Sequence, residues 1–534
     1  MAIRDKILVL MFSVVSFLLV AGCSSDSSST PKNNVPAYIE QQAQRLITDL
    51  TAQGYEVTRG YFKLYTQDDC TYSYETMKSC YGNNPAAPYI MFAVQPWPEE
   101  FVDPATKLAF GSLPQGYNVS FRFDPRETIV ILGLMPPPAA YFGLQTYVFT
   151  REGTYDKTST MYQYIATHYP TMLGFFFNTV PMNQKRIQLA ASLGNSNNNV
   201  VVQQQSGAAF YHESFFIITP DQFMDSAVRA SLNRIAVENA NIFTEPIPST
   251  VGDLSRVKTG LDEHADELLW VMRYAMPLDN GEPSTPSYIW KKDLPLVVLR
   301  VRDTRHERPT QPYGPVMLET RNAADESWLK TDLTNLVEAV NSRWGKPCAI
   351  ADCSDQGTTN FIDLQKQLNM VGPECMKIGM NCLADTQDTT YQGTVGNLSL
   401  DNGEIYAVVG TLGTETGNAT YVGLSVNDSL ILKGIANINS DQLKNTALDY
   451  AGQVNNAEKF YVYYFTRDCT DLQSLTGGNC FSITETMIPI CSDPTTQTCH
   501  YLKLVQREYI YPTTRRGPDS TKTLSPRLLK LKRK

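Results

Sequence analysis

The chain has 534 residues, of which 42% are hydrophobic and 19% are charged, and its formal net charge at pH 7 is −9. These fractions exclude an intrinsically disordered chain, and the length predicts a few domains of roughly 150 residues each. The acidic balance argues against nucleic acid as a partner, because polyanions are repelled on average. Beyond the first 22 residues, no stretch is apolar over the roughly 20 positions that a membrane-spanning helix needs.

The first segment has the layout of a signal peptide. Arg4 and Lys6 precede an apolar run, ILVLMFSVVSFLLV, at residues 7–20. A basic region followed by an apolar region is typical of an export signal, and this run is too short for a permanent membrane span. We therefore predict that residues 1–22 are removed on export.

Residues 19–23, LVAGC, resemble the lipobox of bacterial lipoproteins, in which the Cys is acylated and becomes the mature N-terminus. Val20 stands where that motif most often has Leu. The resemblance covers only these first residues, and it implies that Cys23 carries fatty acids such as palmitate and that the membrane is a partner through them. Ser24 resembles the sorting pattern of outer-membrane lipoproteins, which implies the outer membrane of the cell envelope, on its periplasmic or surface face. Residues 23–35 are polar enough to form a tether.

Ten Cys remain after Cys23, and they fall in couples that are close in sequence. The oxidising periplasm or cell surface makes disulfides their expected state. The simplest pairing joins Cys70 to Cys80, Cys348 to Cys353, Cys375 to Cys382, Cys469 to Cys480, and Cys491 to Cys499. Zinc is the alternative, but no Cys-x-x-Cys spacing occurs and only His500 adjoins a Cys. We therefore predict neither a metal nor a cofactor.

The distribution of Cys and Pro divides the mature chain. Residues 81–347 lack Cys, whereas eight of the ten lie between residues 348 and 499. The predicted division is an N-terminal α+β domain at 36–247, a middle α/β segment at 248–347 that could continue it, a Cys-rich and mainly β domain at 348–511, and a basic tail at 512–534. We interpret the tail as solvated or, alternatively, as a contact for anionic lipid head groups.

Apolar residues at helical spacing predict helices over 39–50, 223–235 and 328–344. Thr219 and Pro220 are typical of an N-cap and a first-turn Pro for the second of these helices. β-branched and aromatic runs predict strands at 89–94, 119–123, 128–134, 209–218, 296–301, 405–411, 421–426 and 459–465. The helices are too few to cross over between all these strands. The predicted fold class is therefore α+β, with mostly antiparallel sheets, disulfide-stapled loops, and two or three domains.

A weak internal repeat is also present. Residues 61–66 lead into Cys70 and Cys80, and residues 461–467 lead into Cys469 and Cys480. This pattern predicts that a strand entering a disulfide-closed loop is used twice, in two related sheet domains. Residues 147–151 repeat the strand without the Cys. Coincidence is the alternative, because aromatic strands are common.

No established catalytic motif occurs, and the nearest match to G-x-S-x-G, at residues 423–427, lies inside a predicted strand. The candidate catalytic residues are Asp303, Arg305 and His306, which follow an apolar strand. A His titrates near neutral pH, and a carboxylate or guanidinium beside it can orient it or hold an anionic ligand. The alternative is a salt-bridged surface loop.

Two other polar segments are weaker candidates. His264 lies in an acidic stretch that could coordinate a metal ion, although a solvated acidic segment explains the pattern as well. Residues 381–388 could present two carboxylates, or could form a plain loop.

Three functions fit the sequence. The first is a cell-envelope lipoprotein with a non-catalytic role in binding a ligand or an envelope protein. The second is a membrane-anchored hydrolase or lyase that acts on an envelope or extracellular polymer, and the third is a structural or assembly role. Whether the protein is an enzyme stays open, because a site built from distant residues leaves no motif. The 29 Tyr suit exposed binding surfaces and sheet packing equally.

Overall fold

The structure is a computed structural model that describes residues 31–532 except 169, 171–172, 178, 181–182, 249–256, 316, 345–357, 364–371, 383, 385, 395, 397 and 494–497. The chain divides into two units, Met1–Pro31 and Lys32–Lys534. The predicted signal peptide, the lipid on Cys23 and the Cys348–Cys353 pair lie outside the described residues. Within the described part of the chain, no helix is long and apolar enough to cross a membrane.

The second unit has an α+β fold with mostly antiparallel sheets. Its α-helices are α1 (Ala37–Ala52), α2 (Gln67–Met77), α3 (Thr160–His168), α4 (Leu173–Phe176), α5 (Asn199–Ser206), α6 (Gln222–Arg234), α7 (Pro286–Asp293), α8 (Lys330–Arg343), α9 (Gly372–Ile378), α10 (Gly413–Thr416), α11 (Ser440–Leu443) and α12 (Gln473–Thr476). The three helices predicted from apolar spacing are confirmed as α1, α6 and α8.

The strands fall into two sets along the chain. The first set is β1 (Glu56–Arg59), β2 (Tyr61–Leu64), β3 (Tyr89–Ala93), β4 (Glu127–Leu134), β5 (Ala139–Glu152), β6 (Thr179–Val180), β7 (Asn183–Ser192), β8 (Asn197–Asn198), β9 (Glu213–Thr219), β10 (Ile242–Pro246), β11 (Glu267–Pro277) and β12 (Leu296–Arg302). The second set is β13 (Thr358–Asn360), β14 (Ile362–Asp363), β15 (Thr389–Gly393), β16 (Glu404–Thr411), β17 (Tyr421–Asp428), β18 (Lys433–Asn439), β19 (Phe460–Thr466), β20 (Cys480–Ser482), β21 (Leu502–Tyr509) and β22 (Arg527–Lys532).

The two sets build the same pair of sheets. In the first set, the strand orders are β1-β12-β4-β9-β10 and β2-β3-β11-β5-β7-β6, with β8 beside β5. In the second set, they are β13-β22-β16-β19-β20 and β14-β15-β21-β17-β18. Among the strands that the structure describes, only the last pair of the first sheet in each set, β9 with β10 and β19 with β20, is parallel. Apart from the short β6 and β8, every strand of the first set has a counterpart in the second, in the same order along the chain.

The chain therefore consists of two halves with one topology, which we call the first half (residues 37–302) and the second half (residues 330–532). In each half the two sheets enclose one core, formed in the first half around Trp270 and Phe92 and in the second around Leu424 and Val408. Helices cover the outer face of one sheet: α1 and α6 in the first half, and α8 in the second. Burial of such apolar side chains is the main term that stabilises each half.

Among the described residues, four disulfides are present: Cys70–Cys80, Cys375–Cys382, Cys469–Cys480 and Cys491–Cys499. These confirm four of the five predicted local pairs. The first closes a loop between α2 and β3, and the second closes the equivalent loop between α9 and β15. The internal repeat is thus real, but its predicted register is wrong, because β2 corresponds to β14 rather than to β19.

Two local expectations need correction. Residues 119–123 form a single isolated bridge rather than a strand, because Phe121 pairs only with Leu268 while the loop covers two cores. Helix α6 is capped by Asp221, whose carboxylate accepts a hydrogen bond from the amide of Phe223, and Thr219 ends strand β9.

The basic C-terminal segment is not a solvated tail. Its strand β22 lies between β13 and β16, and backbone pairing on both sides holds it in the sheet. Helix α8, which we assigned to the middle segment, packs on this same sheet, while strand β12 of that segment pairs with β1 and β4. The sheets therefore divide the chain between residues 302 and 330.

Candidate functional site

The two halves meet where β11 and β5 of the first half face β21 and β17 of the second. The rings of Tyr141 and Tyr509 lie 4.5 Å apart across this contact, and Tyr421 stacks on Tyr509 at 4.8 Å. We call this region the junction. It is built from equivalent residues of the two halves, because the strands that carry them occupy equivalent places in their sheets.

Arg273 is the central residue that the first half contributes to the junction. It is 3% exposed and lies on β11, between Tyr89 on one neighbouring strand and Gly143 on the other. Its guanidinium lies 4.9 Å from the centre of the Tyr89 ring. Nη1 donates a hydrogen bond to Tyr147 Oη (2.8 Å), and Nη2 crosses to the second half and donates to the carbonyl of Ala384 (2.9 Å).

Arg507 is the equivalent residue of the second half. It is 6% exposed and lies on β21, between Tyr391 and Gly423. Its guanidinium lies 5.8 Å from the Tyr391 ring. Nη1 donates to Ser425 Oγ, and Nη2 crosses to the first half and donates to the carbonyl of Gly82 (2.8 Å).

Both arginines thus reach the same position of the opposite half. Gly82 follows Cys80 by two residues, and Ala384 follows Cys382 by two residues. Backbone hydrogen bonds also connect each disulfide to the opposite half. The amide of Cys80 donates to the carbonyl of Ile431 (2.8 Å), and the amide of Cys382 donates to the carbonyl of Leu189 (2.6 Å). Each disulfide loop is therefore bound by the other half, and charge-assisted hydrogen bonds of this kind are the stronger ones in proteins.

Glycine is required beside each arginine by the close approach of a Tyr ring. A Cβ on Gly143 would lie 2.5 Å from Tyr141 Oη and 2.5 Å from Asp388 Oδ2. A Cβ on Gly423 would lie 3.0 Å from Tyr421 Oη and 2.8 Å from Asn437 Oδ1. The Tyr two positions before each Gly folds back over it, so neither site has room for a side chain.

Asp388 is the carboxylate of this region, and it was one of the two that the sequence suggested at residues 381–388. It is fully buried and accepts hydrogen bonds from Tyr141 Oη (3.1 Å), Thr386 Oγ1 (2.7 Å) and Asn198 Nδ2 (3.3 Å). Burial raises the pKa of Asp388 above its usual value, and these hydrogen bonds oppose that shift. Asp385 lies outside the described residues.

The arrangement at the junction joins two halves rather than opening a reaction site. A cavity of about 10 Å³ lies beside Arg273 and Tyr147, with Ala384 and Phe149 in its wall. That volume has room for about one water molecule and none for an organic substrate. Both terminal nitrogens of Arg273 and of Arg507 already donate to acceptors, so the chemistry of the junction is hydrogen bonding between the halves.

The predicted catalytic residues lie elsewhere. His306 is exposed at a turn, with a left-handed backbone (φ 54°). Arg305 Nε donates to Asp303 Oδ1 (2.8 Å), and Arg308 lies 3.8 Å from the same carboxylate. Burial alone would raise the pKa of Asp303, but the bonds from Arg305 outweigh it and hold the pKa below its usual value. This geometry is that of the salt-bridged surface loop that we weighed as the alternative.

Two other His pair with carboxylates. His264 is exposed and bonds to Glu152 (3.0 Å), whose hydrogen bond and charge raise the pKa of this His. His500 Nδ1 lies 2.5 Å from Oδ2 of the buried Asp428. Within the ranges that the structure describes, no group of three or more His, Cys, Asp or Glu is arranged to hold a metal ion.

Comparison with known proteins gives no family. No known protein family and no curated protein matches the chain. Among solved structures, the chain is similar to the VPA0106 protein from Vibrio parahaemolyticus, with 8% identity and a TM-score of 0.35, over 92% of this chain and 96% of that one. It is also similar to an uncharacterized protein from Burkholderia cenocepacia, with 10% identity and a TM-score of 0.34, over 92% and 94% of the two chains.

Neither arginine was predicted from the sequence, although the chain carries a signal for them. Residues 139–144 read AAYFGL and residues 419–424 read ATYVGL, and these are the starts of the equivalent strands β5 and β17. The spacing from Cys80 to Tyr89 also equals that from Cys382 to Tyr391. These two matches set the correct register of the repeat, whereas the aromatic strands that we compared belong to different places in the fold.

Proposed function

We propose that the protein is an exported lipoprotein of the bacterial cell envelope, anchored through Cys23, with a non-catalytic role in binding a ligand or partner. The observation that carries the proposal is the set of disulfide loops behind a lipobox. At two of these loops, the residue two positions after the second Cys supplies the carbonyl that binds Arg273 or Arg507, so each of these disulfides lies beside the contact between the halves. Disulfides persist in the periplasm or at the cell surface, where a lipobox sends a chain.

We favour a binding role over catalysis because the buried charged side chains bond to other groups of the protein. Arg273, Arg507 and Asp388 each form a hydrogen bond with the opposite half. Within the first half, Arg300 is paired with Glu100 and Glu127. Such networks fix one arrangement of a scaffold. Most Tyr that line the sheets, including Tyr147, Tyr421 and Tyr464, are also buried and therefore serve packing.

Metabolic labelling with an alkyne fatty acid tests the anchor. We expect the wild-type chain to take up the label and to fractionate with the outer membrane, and Cys23→Ser to lose the label. The matched control is Ser24→Asp, which should keep the label and move to the inner-membrane fraction. A wild-type chain without label would refute the lipoprotein proposal.

The second candidate function, an anchored hydrolase or lyase, is favoured by the pair of His500 and Asp428. The imidazole is partly exposed, and a buried carboxylate 2.5 Å away orients it, as a general base requires. Incubation of the purified chain with peptidoglycan sacculi tests this candidate. Release of soluble fragments that His500→Ala abolishes and His212→Ala leaves intact would favour the enzyme, and no release from sacculi would leave binding as the better proposal for that polymer.

A further inference from the structure

Large apolar side chains are exposed together at one end of the first half. This end, which we call the apolar end, is where β4 leads into β5 and β11 leads into α7. The exposed side chains are Tyr38, Tyr211, Leu278, Tyr288 and Ile289. Leu278 is 75% exposed and Ile289 is 48% exposed, which is uncommon for large aliphatic side chains in neighbouring positions.

Backbone hydrogen bonds hold Tyr211 and Leu278 beside one turn. The amide of Tyr211 donates to the carbonyl of Pro136 (3.0 Å), and the amide of Leu278 donates to the carbonyl of Pro138 (2.9 Å). Three consecutive prolines fix φ through this turn and offer few amide donors. The two exposed side chains therefore flank a rigid platform, and ordering them for binding costs little backbone entropy.

Helix α7 adds Tyr288 and Ile289 to this platform. Thr285 caps the helix, and Asp279 accepts hydrogen bonds from the amide and hydroxyl of Ser287, so the helix is tied to the residue after Leu278. Trp290 points inward, and its Nε1 donates to the carbonyl of Leu134 (2.9 Å). Tyr288 and Ile289, the two residues just before Trp290, are exposed.

The N-terminal residues of the second unit are fixed at the same end. Asn34 donates its amide to the carbonyl of Asp293, the last residue of α7 (3.3 Å), and Asn33 bonds to both backbone groups of Phe62. Only nine residues, 24–32, separate Asn33 from Cys23. A segment of this length spans at most about 35 Å.

We propose that the apolar end rests on the bilayer that carries the lipid of Cys23, with Tyr211, Leu278, Tyr288 and Ile289 at the level of the head groups. The proposal rests on the proposed lipid anchor. The short tether keeps this end near the membrane, which raises its effective concentration there. Tyr is enriched at membrane interfaces because its ring is apolar and its hydroxyl is polar. Lys292, exposed in the last turn of α7, adds attraction to anionic lipids.

Quenching by brominated lipid tests the proposal. The lipidated chain is reconstituted in vesicles of phosphatidylethanolamine and phosphatidylglycerol, with and without bromine on the acyl chains. In Ile289→Trp, the fluorescence that the substitution adds should shift to the blue on vesicles and be lost on brominated vesicles. The matched control is Leu448→Trp, at a residue of the second half that is 44% exposed, where the added fluorescence should be unaffected.

Leu278→Trp provides a second probe if Ile289→Trp folds poorly. Quenching of the first-half probes but not of Leu448→Trp supports the proposal. Equal quenching of all variants, or of none, overturns it, and the second result is the one expected if a protein partner covers the apolar end. The measurement is repeated with the chain beginning at Cys23, coupled through that thiol to a maleimide lipid. Failure of acylation in the cell is thereby separated from failure of the surface to meet the membrane.

Discussion

The first and second halves share a strand order but differ in the length of several strands, helices and connections. Strand β5 has 14 residues where its counterpart β17 has 8, and helix α6 has 13 where α12 has 4. What the halves keep is the pairing of strands and the side chains that face the other half. Sheet interiors tolerate few changes because close packing penalises them, whereas surface connections can lengthen at small entropic cost.

At the junction, equivalent residues of the two halves have different neighbours. Arg273 and Arg507 occupy equivalent positions in their sheets, and each bonds to the equivalent carbonyl of the opposite half. Their second partners differ, since Arg273 bonds to a Tyr hydroxyl and Arg507 to a Ser hydroxyl. Only the Arg273 side also faces the buried carboxylate of Asp388. The crossing hydrogen bond is therefore the common element, and the surrounding contacts are what each half varied.

Replacing either arginine should give the largest loss of stability. Arg273→Leu and Arg507→Leu each remove two hydrogen bonds from a charged donor, one of which crosses to the other half, so we expect the free energy of unfolding to fall by about 3–6 kcal/mol. Denaturant unfolding measures it. The control is Arg234→Leu, whose exposed ion pair with Asp49 should contribute less than about 1 kcal/mol. A large loss for one arginine and none for the other would break the equivalence of the halves.

Two buried carboxyl groups, one in each half, should make the free energy of unfolding depend on pH. We expect this effect to be smaller than that of replacing an arginine. Burial raises the pKa of Glu245 in the first half to about 7 and that of Glu508 in the second to about 8, with the charge of Glu326 adding to the second shift. A raised pKa in the folded state means that its stabilising contribution is complete below the unfolded value near 4.5 and is lost as pH rises through the folded value.

We therefore expect Glu508→Gln to become more stable than wild type as pH rises from 5 to about 8, by up to roughly 4 kcal/mol, and Glu245→Gln to gain less and to stop gaining near pH 7. Urea unfolding at a series of pH values measures both. Parallel pH profiles of Glu508→Gln and wild type would show that this carboxyl is not buried as described.

The smallest of these effects is expected at the two glycines. Gly143→Ala and Gly423→Ala each place a methyl group against a Tyr hydroxyl, and overpacking of this kind costs about 1–3 kcal/mol. Gly143→Ala should cost more, because its contacts are shorter and one of them is to Asp388. Gly174→Ala is the control, as no atom lies within 4 Å of the added methyl group. A larger loss at Gly423 would contradict the expected order and would show that the second half is packed more tightly at this position.

Local features of the fold could be predicted from the sequence. Helices α1, α6 and α8 follow from apolar spacing, and four disulfides follow from Cys that are close in sequence. Strands β11 and β21 were missed, because Arg273 interrupts the apolar run of β11 and three consecutive polar residues, 506–508, interrupt β21. An arginine inside a sheet is expected only when its partners are known, and the partners of these two lie more than 80 residues away in each case.

The α+β class, the positions of the main helices and the local pairing of four disulfides depend on residues a few positions apart, and they could be predicted from the sequence. Three features became visible only in the folded chain: the two halves of one topology, the strand that the basic C-terminal residues form inside a sheet, and the exposed position of His306 at a salt-bridged turn. Strand order and the burial of a charge depend on which distant segments pair. That pairing is selected by the packing of complete sheets, and no short window of sequence contains it.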